Sequence, residues 1–285
     1  MASAFPGGRD LLSIDAIDFG RLYREHMARA VRREKRAADW DARAGRMSQG
    51  VFTGTYVESF VARLDLTGCE TLLDVGCGPG TIALTVAPRL AHVVGLDFSQ
   101  GMIDVFTENT RARGVTNATS LLRAWEDSWD DVSPCDVVVA SRSSQVADLE
   151  AALLKMNAHA RRRVYLTYKV GGRFLDDSVY EALGREDEPL PDYIYVLNIL
   201  HRHGIHPRLD YIAGENRLRY IADFNDCVRR VEWSLGPLTS AERDRLRVYY
   251  DQRGGRIGGE PMQWAFIWWE KGARFRAPAG ESLCS

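Results

Sequence analysis

The sequence has no CxxC pair, and its five cysteines, Cys69, Cys77, Cys135, Cys227 and Cys284, are scattered and odd in number. That pattern argues against a disulfide framework and a cysteine-built zinc site. It predicts reduced thiols in a cytoplasmic protein. Charge of one sign is also missing. A net charge of −2 at pH 7 gives no basis for whole-protein attraction to nucleic acid. No apolar run reaches the length of a membrane span, and the start, MASAFPGGRDLLSIDAIDFG, lacks the basic-then-apolar order of a signal peptide. There is no internal repeat and no low-complexity tract. What is present is ordinary globular composition, 45% hydrophobic and 27% charged over 285 residues. That suffices for one large domain, or one domain with an elaborate insert.

Along the chain, residues 18–47 read as one helix rich in Ala, Arg and Glu. Nine Lys/Arg against four Asp/Glu between 21 and 46 give this arm a local charge of +5. A second helix is expected over 53–64, where Tyr56, Val57, Phe60, Val61 and Leu64 recur at helical spacing. The pattern then changes. Short apolar runs at 71–76, 92–97, 118–124, 135–141 and 162–170 read as strands, with helices at 81–90, 99–114 and 148–160 between them. Strands alternating with helices predict an α/β fold with a doubly wound, mostly parallel sheet. After 171 the alternation breaks. Residues 173–204 read as a helical insert of two pieces around a proline turn, and 206–214 as a possible strand. A helix-rich stretch runs from 220 to 252, with Thr239 or Ser240 as a cap, and 262–272 closes the sheet as its seventh strand. The expected organisation is an N-terminal helical arm or lid at 1–66, a main domain at 67–272 carrying the insert 173–204, and a loose tail at 273–285.

The stretch LLDVGCGPG (72–80) runs from a strand straight into Gly76, Gly78 and Gly80. Glycines tolerate positive φ and let a ligand approach the backbone, and the helix that follows offers unpaired N–H groups. Asp97 ends the next strand, 17 residues after Gly80, where a carboxylate can accept from both hydroxyls of a ribose. A dinucleotide fingerprint of GxGxxG needs a glycine at 81, which is Thr81 here, so the spacing is GxGxG.

LLDVGCGPG followed by VVGLDFSQGMI resembles the class I S-adenosylmethionine-dependent methyltransferases, over roughly 70–170 plus the closing strand at 262–272. The resemblance implies a Rossmann-like methyltransferase fold and S-adenosyl-L-methionine as cofactor. It implies that Asp74 and the Gly76–Gly80 turn meet the methionine part, that Asp97 holds the ribose, and that Phe98 lies against adenine. Ala124 stands where many members have Asp. Trp125, Glu126 and Asp127 follow directly, so Glu126 or a backbone N–H is the expected adenine contact. Ser141, ending the fourth strand, would face the sulfonium. WDARA (40–44) looks like a lid segment, with Trp40 and Arg43 as contacts or Trp40 as packing.

Methyl transfer from a sulfonium depends mostly on positioning and water exclusion, so no obligatory triad is expected, and none is visible. The acceptor should sit beyond strands four and five. Arg142, Tyr168 and Tyr193 are the expected lining, with the Tyr168 and Tyr193 hydroxyls as orienting groups, and Ser143 and Lys169 nearby. HRHGIHP (201–207) places two histidines at i, i+2, which do not face one way on a helix, and is read as a surface turn rather than a metal site. The leading expectation is methyl transfer to a small molecule, with no membrane partner, no nucleic acid and no implied oligomeric state. Two alternatives stay open. One is an RNA or protein methyltransferase docking through the basic arm, including Arg32, Arg33, Lys35 and Arg36. The other is a cofactor-binding protein without transfer activity.

Overall fold

The computed structural model describes residues 13–30, 34–47 and 52–272. Seven strands form one sheet in the order β3-β2-β1-β4-β5-β7-β6. They are β1 (Thr71–Val75), β2 (His92–Asp97), β3 (Ala118–Leu122), β4 (Cys135–Ala140), β5 (Ala160–Lys169), β6 (Arg208–Gly214) and β7 (Met262–Glu270). The first five are parallel, and β7 runs antiparallel between β5 and β6. The chain winds outward from β1 to β3 on one side and from β4 on the other. The crevice between β1 and β4 therefore opens beyond their carboxyl ends, where a doubly wound sheet binds its ligand.

The β-branched run of β4 is buried on both faces because helices cover both. Val137 and Val139 face a core with Tyr56, Val57 and Phe60 of α3 (Thr55–Ala62), α4 (Ala83–Val86), and Ile103 and Phe106 of α5 (Gln100–Ala112). Val138 and Ala140 face the opposite core. There Tyr23 and Met27 of α1 (Phe19–Arg29), Leu149 and Leu153 of α6 (Leu149–His159), and Val196 and Ile199 of α8 (Ile194–Arg202) pack. Among the described residues no helix is long and apolar enough to cross a membrane.

The helical parts depart from the sequence reading in three places. The arm expected as one helix over 18–47 is α1 and α2 (Ala37–Met47), with Ala30 already extended at φ −63° and ψ 124°. The two helices bury different faces, α1 against α6 and α8, α2 against α5, so one straight rod cannot serve both. The helix expected over 81–90 is α4 followed by a 3-10 turn at Ala87–Arg89, where Pro88 removes a donor that a longer α-helix needs.

The 173–204 segment does not act as one insert. Its second half, α8, packs on the main sheet. Its first half, α7 (Asp177–Leu183), joins α9 (Phe224–Leu235) and α10 (Ser240–Gln252), inserted between β6 and β7, in a separate core around Val179, Leu183, Val231 and Leu246. Of the two caps weighed for α10, Thr239 is the one used, in a reciprocal box with Glu242. The tail expected at 273–285, and Arg32 and Arg33 of the arm, lie outside the described residues.

Candidate active site

The glycine turn leaves β1 with Gly76 at φ 68°, Gly78 at φ 53° and Gly80 at φ 87°. Gly76 is also required for space. A Cβ there would sit 2.3 Å from the Cβ of Ser143, whose hydroxyl donates to the carbonyl of Val75 at 2.6 Å. At Gly78 a Cβ would meet nothing nearer than the Met102 sulfur at 4.0 Å, so space beside this backbone is open to a ligand. Gly76→Ala, strained in backbone and blocked by Ser143, should lose about 1–3 kcal/mol of stability, read as a lower denaturation midpoint with unchanged slope.

Two buried carboxylates flank the turn. Asp97 accepts from Gly78 N (2.8 Å) through Oδ2 and from Ser99 N (3.0 Å) through Oδ1. Burial raises its pKa, and these N–H groups work against that rise. Asp74 accepts from Ala83 N at 3.1 Å through Oδ2, while its buried Oδ1 has no partner. Burial pushes the Asp74 carboxyl up to about 7 despite the Ala83 bond, and the charge of Asp97 adds to the rise. An orphaned buried acceptor beside an open glycine backbone suits a cationic donor, such as the ammonium of an amino acid. The residues therefore fit S-adenosylmethionine: Asp74 and Gly78 for its amino-acid end, Asp97 for its ribose. Phe98, 40% exposed at the end of β2, presents a ring with room for adenine.

The remaining expected contacts are distributed unevenly. The Trp125 indole donates to the carbonyl of Ser143 at 3.1 Å and its ring packs on Trp129, so this side chain braces the loop, while Glu126 is exposed. Trp40 packs edge-on against Trp233 of α9, with ring centroids 5.2 Å apart. Ser141 stands at the head of β4 with its Oγ 2.9 Å from the Tyr56 hydroxyl.

Arg142, Tyr168 and Tyr193 do not line one pocket. On β5, Tyr165 faces the α3 core and Tyr168 the opposite one. Tyr168 is fully buried there, donating to Tyr23 Oη at 3.2 Å, which donates to the Val146 carbonyl at 2.6 Å. Tyr193 lies on that same far side, 2.6 Å from the hydroxyl of Tyr211. This bond pushes its pKa up to about 12, so it stays protonated near neutral pH. Only Arg142 stays beside Ser141. Its guanidinium lies 4.2 Å over the Tyr56 ring, and its backbone, at φ 59°, donates to Thr167 Oγ1 at 3.0 Å. The surface reading of HRHGIHP agrees with His203, which pairs with Glu150 at 2.8 Å.

Sequence reasoning missed Tyr56, Thr167 and Asp41 as site residues. The Tyr56 hydroxyl is 2.7 Å from Thr167 Oγ1, so three hydroxyls meet at the heads of β4 and β5. Asp41 of α2 accepts from Ser99 Oγ (2.6 Å) and Gly101 N (2.9 Å), latching the arm onto the start of α5. These bonds, Ser99 first, hold its carboxyl below the usual range. The one acidic residue of WDARA, Asp41, was legible only as charge on a helix.

A family profile described as a methyltransferase domain matches residues 72–163. An uncharacterized protein of Haemophilus influenzae is 36% identical over 265 residues, covering 90% of this chain and 98% of that protein. An uncharacterized RNA methyltransferase of Lactiplantibacillus plantarum is 34% identical over 107 residues, covering 36% of this chain and 23% of that protein. In fold the chain is similar to phosphoethanolamine N-methyltransferase 2 of Haemonchus contortus, solved with phosphomonomethylethanolamine and S-adenosylhomocysteine. The TM-score is 0.51 at 19% identity, covering 84% of this chain and 60% of that one. By its sheet order, its glycine turn and these similarities, the chain belongs to the class I S-adenosylmethionine-dependent methyltransferases.

Proposed function

We propose that this methyltransferase acts on a small-molecule acceptor in the cytoplasm. The observation that carries this reading is what the basic arm does with its charge. Arg24 pairs with Asp148 and Glu150, and Arg29 with Glu188. Lys35 and Arg43 lie over the Trp233 ring at 4.9 and 3.8 Å. These cations bind the arm to its own protein, which leaves less of the +5 for a phosphate backbone than the sequence implies. The four buried thiols Cys69, Cys77, Cys135 and Cys227 support a reducing compartment.

When bound, S-adenosylmethionine supplies a methyl group already activated by its sulfonium. The chain's own work is to hold and enclose the acceptor. Helix α2, latched through Asp41, and α9, touching it through Trp40 and Trp233, close the cleft against water. The Tyr56, Ser141 and Thr167 hydroxyls orient the acceptor nucleophile, and a base is required only if that atom arrives protonated.

The test is transfer of labelled methyl from S-adenosylmethionine into a metabolite extract and, separately, into total RNA of the same cells. Label in small molecules alone is expected. Label in RNA alone overturns the reading. Tyr168→Phe should turn over like the parent and lose about 0.5–1.5 kcal/mol of stability, since the bond to Tyr23 goes. A large fall in turnover at unchanged stability would return Tyr168 to the chemistry.

A further inference from the structure

Beside the three hydroxyls the protein gathers three cations, Arg142, Lys169 and Arg217, and carboxylates stand near Lys169. Lys169, the last residue of β5, is paired across the ladder with Trp264 of β7, so both side chains emerge on the face that holds Tyr56 and Thr167. The Tyr56 and Phe174 rings flank Trp264 at 6.0 and 6.1 Å. Each carries a guanidinium, Arg142 over Tyr56 and Arg217 over Phe174, both at 4.2 Å.

Arg217 is partly buried and donates to Ser234 Oγ at 3.0 Å. Among the described residues neither it nor Arg142 has a carboxylate within ion-pair distance. The charges near Arg217 are themselves positive. With burial, Arg43 and Arg142 bring its pKa down to about 10, and Arg217 in turn helps burial to lower that of Lys169. Asp192 and Asp176 stand near enough to Lys169 to favour its charged form, and its ammonium donates to the Val170 carbonyl. Asp192 accepts from Gly171 N and Tyr193 N, and Asp176 from Asn216 Nδ2 and Gly259 N. The buried Trp264 indole N–H has no partner. The cluster is thus rich in donors and positive charge and short of acceptors.

Cations held this close cost stability, and an anion between them removes that cost. A guanidinium stacked on a ring keeps its N–H edge available for a planar, two-oxygen partner. The reading that the acceptor is a small molecule then extends to its chemistry. We propose that Arg142, Lys169 and Arg217, arranged around Trp264 at the heads of β4, β5 and β7, form an oxyanion pocket, and that the methyl acceptor carries a carboxylate or phosphate seated on Arg217. The group to be methylated lies on the Tyr56, Ser141 and Thr167 side, one short spacer away from the anion.

The experiment is calorimetry on the full chain loaded with S-adenosylhomocysteine, titrated with benzoate, phenyl phosphate and the neutral benzamide. Benzoate or phenyl phosphate should bind at least about tenfold tighter than benzamide, and the stronger of the two distinguishes carboxylate from phosphate. Arg217→Gln should weaken the oxyanion probe at least about tenfold, and Arg217→Lys should restore part of the loss. Both should keep the parent's affinity for S-adenosylhomocysteine. Arg142→Gln, at a less buried position, gives the same reading if Arg217→Gln fails to fold. Equal binding of benzoate and benzamide overturns the proposal, as does oxyanion binding unchanged in both Gln variants. Loss of S-adenosylhomocysteine affinity in their place also overturns it, because the cations would then hold the cofactor's own carboxylate. The small-acceptor reading fails by a different observation, label in RNA alone.

Discussion

Asp97→Ala is expected to weaken S-adenosylhomocysteine binding by roughly a hundredfold to ten-thousandfold while leaving the fold intact. Asp97 ends β2 and is 7% exposed. Its two oxygens tie the glycine turn, through Gly78 N, to the start of α5, through Ser99 N. Each oxygen has a second acceptor site, enough for both hydroxyls of a ribose. With Asp97 as the proposed ribose contact, removing the carboxylate would delete two charge-assisted bonds, about 1.5–3 kcal/mol each, and loosen the glycine turn. The cofactor-free protein should change little in stability. The two backbone N–H groups lose their acceptors, but the cost of burying the charge, which raises the carboxyl's pKa, is removed as well. Asp97→Asn keeps one acceptor oxygen and should fall between parent and Ala. Calorimetry on the three proteins, with melting temperatures as the folding control, measures this. An Ala variant with the parent's dissociation constant would place the ribose elsewhere.

The half of the site proposed to hold the cofactor could be read as a unit because it is local. The turn, its glycines and both aspartates lie between 74 and 97, on two adjacent parallel strands, and strand periodicity fixes which residues emerge at the strand ends. The proposed acceptor half draws on Tyr56, Ser141, Thr167, Arg217 and Trp264, far apart in the chain, and no spacing rule connects them. Tyr56 and Phe60 read as an apolar helix face, which they are. Periodicity does not reveal that the Tyr56 hydroxyl projects past that face to Ser141 and Thr167.

Tyr168 was misplaced for a related reason. The end of β5 was correctly located, but one residue along a strand is a change of face, and only the packing of α1 against α6 and α8 shows which face is closed. The 173–204 insert does not hold as one unit because α7 and α8 are consecutive in sequence but belong to different cores, and the helices that α7 packs with, α9 and α10, follow β6.

The last expected result concerns pH and Asp74. An unfolded aspartate titrates near 3.9, whereas the buried Asp74 carboxyl is pushed up to about 7. The native state therefore holds this proton more tightly than the unfolded state. The stability that Asp74 contributes is fully present below about pH 4 and is lost as pH rises through about 7. At 1.36 kcal/mol per pKa unit the loss is about 4 kcal/mol, and it falls on the cofactor-free protein.

Asp74→Asn removes the titration. It should melt several degrees above the parent at pH 8, and the two should converge toward pH 4.5. The cofactor reverses the preference. A cationic amino group at the orphaned Oδ1 needs the ionised carboxylate. The parent's affinity for S-adenosylhomocysteine should therefore rise by close to tenfold per pH unit below 7 and level off above it, while that of Asp74→Asn stays weaker and flat. Calorimetry at pH 6, 7 and 8 in buffers of different ionisation enthalpy reads both the affinity and the released proton. A parent affinity that is flat across this range, with no proton released, would mean that Asp74 Oδ1 does not meet the ammonium. The buried charge would then have to be balanced by another group at the glycine turn.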